Sequence, residues 1–258
     1  MDIRLEHVDY GGSGPVAILL HGLAGTGREW QGTASWLAQT HHVVAPDQRG
    51  HGRTERRPAD VSCDAFVADV AALLERLERS PALLIGQSLG GQTAFLVAAR
   101  RPDLVGALVV AEASPSPTST ETVESVRDWL EGWPVPFSSP AAARTFFGGD
   151  TPAGRVWAGG LEERDGGWWP SFDVDVMVAA LSATVGQSLW DEWKRIECPT
   201  LVVRGTKGGL PRPEAQRMVA SLRGGRLAEI PDAGHDVHLE APPEWRDAVE
   251  RFLASLGT

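Results

Sequence analysis

Residues 81–91 leave this chain few possible backbone paths. An apolar run, Ala82 to Ile85, of the kind a strand buried on both faces shows, leads into Gly86-Gln87-Ser88-Leu89-Gly90, and helix-favouring residues follow from Gln92 to Arg100. Strand, sharp turn and helix in so short a stretch force the middle residue into a strained conformation. The glycines on either side let strand and helix approach closely, so the Ser88 hydroxyl projects where a substrate can reach it. The helix that starts there directs free backbone N–H groups and the positive end of its dipole at any anion forming beside the serine. The pattern alone is weak, and the chain carries its own control. Gly186-Gln187-Ser188-Leu189 repeats the first four letters, but Trp190 replaces the closing glycine. Ser188 is therefore read as structural and Ser88 as the nucleophile.

Around that stretch, apolar runs and helical patterns alternate. Edge strand Ile3 to Tyr10, buried strand Val16 to Leu20, helix Arg28 to Gln39 and strand His42 to Asp47 precede a helix that Ser62 can cap, with Phe66, Val70, Leu73, Leu74 and Leu77 on one face. A strand from Leu104 to Ala111 ends at Glu112. After residues 114–190 come strand Pro199 to Gly205, helix Pro213 to Leu222, strand Arg226 to Ile230 and a final helix from Pro242 to Leu256. This alternation predicts an α/β fold with a mostly parallel, doubly wound sheet. Proline, serine and threonine open the intervening segment, which reads as short helices around Thr122 to Glu131, from Ser139-Pro140, from Thr151-Pro152 and from Asp173 to Val185. The expected organisation is a core of residues 1–113 and 191–258 with a helical insertion at 114–190. Seven of the ten tryptophans lie from Trp129 to Trp193, and Trp129, Trp133 and Trp157 are candidates for an apolar pocket lining.

Charge and cysteine usage narrow the classes. A net charge of −10 with no basic patch argues against nucleic acid as a partner. No apolar run approaches the length of a membrane span, and the N-terminus is charged from its second residue, so the expectation is a cytoplasmic protein that works on a small molecule and does not bind membranes. Cys63 and Cys198 follow no metal-ligand spacing and are expected to be reduced thiols. The oligomeric state is left open.

A serine hydroxyl needs a base within reach and an acid to hold that base. At the C-terminal ends of the strands the chain offers the His21-Gly22-Leu23 loop, Ser88, Glu112 and His235. His21-Gly22 after the first buried strand, the loop Asp47 to Thr54, Gly86 to Gly91 and Ala233 to Pro242 occur in the order of the α/β-hydrolase superfamily, which the sequence resembles over nearly its whole length. The insertion stands where that superfamily carries a helical cap. The resemblance implies that His235 is the general base, with His238 as the rival, and that the backbone N–H groups of Leu23 and Leu89 form the oxyanion hole. It implies no cofactor. His21, His51 and Asp47 are expected to organise loops, and His7, His41 and His42 to lie at the surface or an edge.

The sequence departs from the family at the acid. The loop after Val203-Arg204-Gly205 reads Thr206-Lys207-Gly208-Gly209-Leu210, without a carboxylate. The resemblance offers a second position, the end of the preceding strand, where Glu112 stands; a glutamate there is costly to bury without a partner, and an imidazole is a suitable one. A solvated Glu112, Glu214, Asp236 or no third member are the alternatives. The leading reading is a serine hydrolase cleaving an ester-like bond, a carboxylic ester or lactone, of a small apolar or aromatic substrate. Carbon–carbon bond hydrolysis, perhydrolysis and a non-catalytic ligand-binding role use the same parts. A dinucleotide-binding reading of Gly22 to Gly27 fails because Trp30 stands where the third glycine is needed.

Overall fold

The computed structural model describes residues 3–78 and 81–257; Met1 and Asp2, where the charged N-terminus begins, lie outside the described residues. In the first half, β1 (His7–Gly11), β2 (Val16–Leu20), α1 (Gln31–Leu37), β3 (His42–Pro46), α2 (Cys63–Leu77), β4 (Ala82–Gln87), α3 (Leu89–Arg100) and β5 (Val105–Ala111) alternate as the periodicity predicts. Then follow α4 (Thr120–Glu131), α5 (Pro140–Phe146), α6 (Pro152–Gly159), β6 (Leu161–Arg164), β7 (Gly167–Pro170), α7 (Val174–Ser182) and α8 (Trp190–Trp193). The chain continues with β8 (Thr200–Gly205), α9 (Arg212–Ala220), β9 (Gly225–Ile230), α10 (Val237–Glu240) and α11 (Pro242–Ala254).

One seven-stranded sheet runs in the order β1-β3-β2-β4-β5-β8-β9, parallel except for β1, which pairs antiparallel with β3. The strands read as continuous apolar runs because both faces are covered. Val16, Ile18, Leu20, Leu84, Leu108 and Val110 pack in one core with α2, α3, α8 and α9, while Ala17, Leu19, Leu83, Ile85 and Val109 pack in a second with α1 and α11. Burying a strand leucine or isoleucine fully contributes roughly 1.5–3 kcal/mol each, so the two layers together fix the register of the central strands. Among the described residues, no helix is long and apolar enough to cross a membrane.

Residues between β5 and β8 contribute nothing to this sheet. Ser119, Ser139 and Thr151 cap α4, α5 and α6 through their hydroxyls, and proline opens the last two. The segment has its own core, in which Trp133, Phe137, Phe172, Val176 and Met177 pack against Ala24 of the β2–α1 loop. It also holds an unanticipated hairpin. β6 and β7 pair antiparallel around Asp165-Gly166, both at positive φ (51° and 76°), the turn geometry that Asp-Gly favours. Two further differences are local: β1 starts at His7 rather than Ile3, and a short 3₁₀ turn, Gly27–Trp30, precedes α1 in place of one continuous helix.

Candidate active site

Parallel strands deliver their C-terminal ends to one edge of the sheet, and the register aligns four of them. Gln87 of β4 lies opposite Ala111 of β5, Ala111 opposite Val203 of β8, and Gly205 of β8 opposite Ile230 of β9. The residues just beyond these ends are Ser88, Glu112, Thr206 and the 231–236 loop that carries His235.

Ser88 sits at φ 51°, ψ −118°, a conformation that costs a non-glycine residue about 1–3 kcal/mol and is held here because its N–H donates to Ala111 O at 2.9 Å. A Cβ on Gly86 would overlap the backbone of Gly90 and Gly91, and one on Gly90 would overlap the carbonyls of Leu20 and His21. Both glycines of the elbow are therefore needed for the close approach of strand, helix and the neighbouring β2 end. Ser188, by contrast, is exposed on the loop before α8.

Glu112 is the buried end of β5: its side chain has 0% exposure and its backbone sits at φ 49°. Stripping a carboxylate of water costs several kcal/mol unless it is paired and hydrogen-bonded. Here Oε1 accepts from Gly205 N–H at 2.8 Å, and Oε2 accepts from Gly209 N–H at 2.7 Å and Leu210 N–H at 3.1 Å. Oε2 also lies 3.6 Å from His235 Nδ1. A solvated strand-end glutamate is thus excluded. The Gly-rich loop leaves room for this side chain, because a Cβ at Gly208 would fall onto the Glu112 carboxylate. Where the family resemblance places an acid, this loop supplies instead a backbone cradle for Glu112 at the end of the preceding strand, β5.

His235 is 52% exposed in its side chain and faces the cavity above Ser88. Partial burial pushes its imidazolium down, but the nearby Glu112 carboxylate, with the charges of Asp236 and Glu240, outweighs that and leaves its pKa above the ordinary 6.5. His238 lies elsewhere. It is buried against Trp30 at a ring separation of 4.2 Å, with Nε2 3.2 Å from Glu29 Oε1. Burial pushes His238 down to about 4 and Glu29 up to about 8, disfavouring the charged form of each. Glu214 and Asp236, the other candidate acids, are engaged otherwise: Glu214 accepts from the Ser114 hydroxyl, and Asp236 accepts from Trp157 Nε1 at 3.2 Å and Gln87 Nε2 at 3.4 Å.

Two further residues organise the edge. The Gln87 side chain donates to His235 O at 3.0 Å, and its Oε1 lies against Gly22, tying the elbow to the loops on either side. His21 is fully buried, its Nδ1 2.8 Å from Gly22 O and its Nε2 accepting from Gln48 N–H at 2.9 Å. Asp47 accepts from Gly27 N–H and from Arg53, which keeps its carboxyl below the usual range despite burial. Among the described residues, neither the Leu23 nor the Leu89 N–H has an acceptor within the protein, and both residues line the cavity. Neither Gln87, nor Glu29, nor Gly208 was singled out by sequence reasoning. Gln87 lies inside the elbow pattern at an unconstrained position, and the other two matter only through contacts more than 90 residues away in the chain or across loops.

The cavity measures about 800 Å³. Trp129 and Trp157 line it. Trp133 does not: it is 4% exposed and packs edge-on among Trp129, Phe147, Trp157 and Phe172 inside the insertion. Its position two residues past the end of α4 turns it inward, where the segment's small core needs a large ring. Trp190 and Trp193 belong to the main core, so the tryptophan-rich stretch serves packing more than lining. Among the described residues no group of three or more His, Cys, Asp or Glu is placed to hold a metal ion.

The sequence profile of the alpha/beta hydrolase fold family matches residues 15–242. The chain belongs to that family. This α/β hydrolase is 26% identical over 249 residues to 2-(acetamidomethylene)succinate hydrolase of Mesorhizobium japonicum, covering 94% of this chain and 89% of that protein. It is 27% identical over 252 residues to an sn-1-specific diacylglycerol lipase of Mus musculus, covering 93% and 81%. The fold of this α/β hydrolase is that of the crystal structure of E-2-(acetamidomethylene)succinate hydrolase, with a TM-score of 0.89 at 24% identity over 98% of this chain and 96% of that one. An enol-lactonase from Burkholderia xenovorans shares the fold at a TM-score of 0.77, 21% identity and coverage of 98% and 97%.

Proposed function

We propose that the protein is a serine hydrolase that cleaves a carboxylic ester or lactone of a small, largely apolar or aromatic substrate through an acyl-enzyme, without a cofactor. The observation that carries this reading is the Glu112 carboxylate, fully buried at the end of β5, hydrogen-bonded by three backbone N–H groups and facing His235 Nδ1 on the same sheet edge as the strained Ser88. Burying that charge serves no packing purpose, and it fits the task of fixing an imidazole tautomer.

In this reading Ser88 Oγ attacks the substrate carbonyl while His235 Nε2 takes its proton. Nδ1–H of the resulting imidazolium points to Glu112 Oε2; the 3.6 Å separation is of the kind that tightens when substrate is bound. The oxyanion is met by the N–H groups of Leu23 and Leu89, the latter at the start of α3, where the helix dipole adds to the attraction. His235 then protonates the leaving alcohol, and water, deprotonated by the same imidazole, releases the acid and restores Ser88. Trp129 and Trp157 supply apolar contact for the acyl group, under the insertion as a cap. Relatives named as a succinate-derivative hydrolase and a diacylglycerol lipase support hydrolysis as the class.

Rapid mixing with a p-nitrophenyl ester tests the acyl-enzyme directly. The expected result is a burst of p-nitrophenol stoichiometric with enzyme, accompanied by an acyl mass increment mapping to Ser88. Steady turnover without any acylated peptide, or acylation elsewhere, would rule the mechanism out.

A further inference from the structure

Resting on the hydrolase reading, we infer that the cavity over Ser88 is selective by charge: it accepts esters whose acyl tail is uncharged or carries an ammonium group and rejects those ending in a carboxylate, with Glu214 setting the preference. Among the described residues lining the cavity there is no lysine and no arginine, whereas four carboxyl groups line it, those of Glu29, Glu112, Glu214 and Asp236. Two of the four are unavailable to a tail, since Glu112 is enclosed by backbone amides and Glu29 is paired with His238. Asp236 and Glu214 remain, receiving only neutral donors from side chains: Trp157 and Gln87 for the first, the Ser114 hydroxyl for the second.

Nearby cations are committed elsewhere and do not offset this charge. On α9 and the loop before it, Lys207 pairs with Asp232 at 2.9 Å, Arg212 with Glu229 at 3.1 Å, and Arg217 stacks on Trp190 at 3.9 Å. Arg204 is buried, bonded to Leu210 O and Glu229. The facing wall, from Ser114 to Thr122, is lined by hydroxyl groups, which solvate a neutral polar tail but do not neutralise an anion. Trp129 and Trp157 add aromatic faces, which attract ammonium groups and do nothing for carboxylates. In a partly enclosed cavity these like charges disfavour an anionic tail by about tenfold or more, and added salt weakens the effect.

Three p-nitrophenyl esters of matched length test this: the monoester of adipic acid, its methyl ester, and the ester of 6-aminohexanoic acid. At low salt kcat/KM for the free carboxylate is expected to be about tenfold below that of the methyl ester, with the ammonium ester at least equal to the latter. The gap is expected to shrink at high salt and in Glu214→Gln. Binding to Ser88→Ala, read by tryptophan fluorescence, gives a second arm that does not depend on turnover; monomethyl adipate should bind about tenfold more weakly than dimethyl adipate. A carboxylate ester turned over as well as its methyl ester, a gap indifferent to Glu214→Gln and salt, or equal binding of the two adipates would overturn the inference. If none of the esters is turned over yet the adipates still differ in binding, the charge selectivity stands and the hydrolase reading falls.

Discussion

In the proposed mechanism the chemistry turns on Glu112, and its placement sets a pH signature. Glu112 and its acidic neighbours hold the His235 pKa above 6.5 against burial. A general base must be neutral, so activity is expected to fall as pH drops through that raised value. In Glu112→Gln the acidic limb of a kcat/KM profile should move to lower pH, and the maximal rate should fall on the order of 10³-fold, because the amide no longer enforces the tautomer. An unmoved limb would mean that Glu112 does not act on His235. Glu29 provides the opposite case. Its pKa in the folded state is about 8 against an ordinary 4.5, so retaining its proton weakens the fold progressively as pH rises from 4.5 to 8, and not at all below. Glu29→Gln removes that penalty. Its Tm advantage over the natural protein should therefore widen between those two pH values, at up to about 1.4 kcal/mol per pH unit in stability. A constant difference across the range would show that Glu29 is ionised in the fold.

At the level of elements, Gly208 shows how a loop's composition records a carboxylate it does not contain. A methyl group there would fall onto the Glu112 carboxylate, so Gly208→Ala is expected to displace that group from its backbone donors, lowering kcat at least tenfold and costing about 1–3 kcal/mol in stability. Unchanged kcat and stability would mean that the loop accommodates the methyl group without moving the carboxylate. The central strands and the elbow were legible because a parallel sheet covered on both faces writes unbroken apolar runs into the sequence, and because Ser88 needs glycines at fixed offsets. The β6–β7 hairpin was legible in principle: Asp165-Gly166 is the local signal, masked by a segment otherwise rich in helix starts. Trp133 was not legible, since residues inside a small insertion core and residues facing a cavity have the same apolar pattern. The pairing of Glu112 with the amides of Gly205, Gly209 and Leu210 joins positions 93 to 98 apart, and only the absence of an aspartate hinted at it.

Across the whole molecule, the loops after β2, β4, β5, β8 and β9 meet at one sheet edge, and the insertion lies over them. Arg56, in the loop after β3, fastens this arrangement by donating to Asp173, Glu162 and the carbonyls of Pro170 and Phe172. Removing it takes a donor from each of these two carbonyls. Hydrogen exchange in Arg56→Ala is expected to accelerate across β6, β7 and the start of α7, with little change in the central strands; uniform acceleration would mean that the insertion and sheet open together. The central claim remains the trio at the edge. Intact-mass analysis after exposure to a small fluorophosphonate, with Ser88→Ala, Ser188→Ala and Glu112→Gln in parallel, tests it most directly. A single adduct is predicted, absent only in Ser88→Ala and slowed in Glu112→Gln. A folded natural protein that takes no label, or one still labelled after Ser88→Ala, would contradict it.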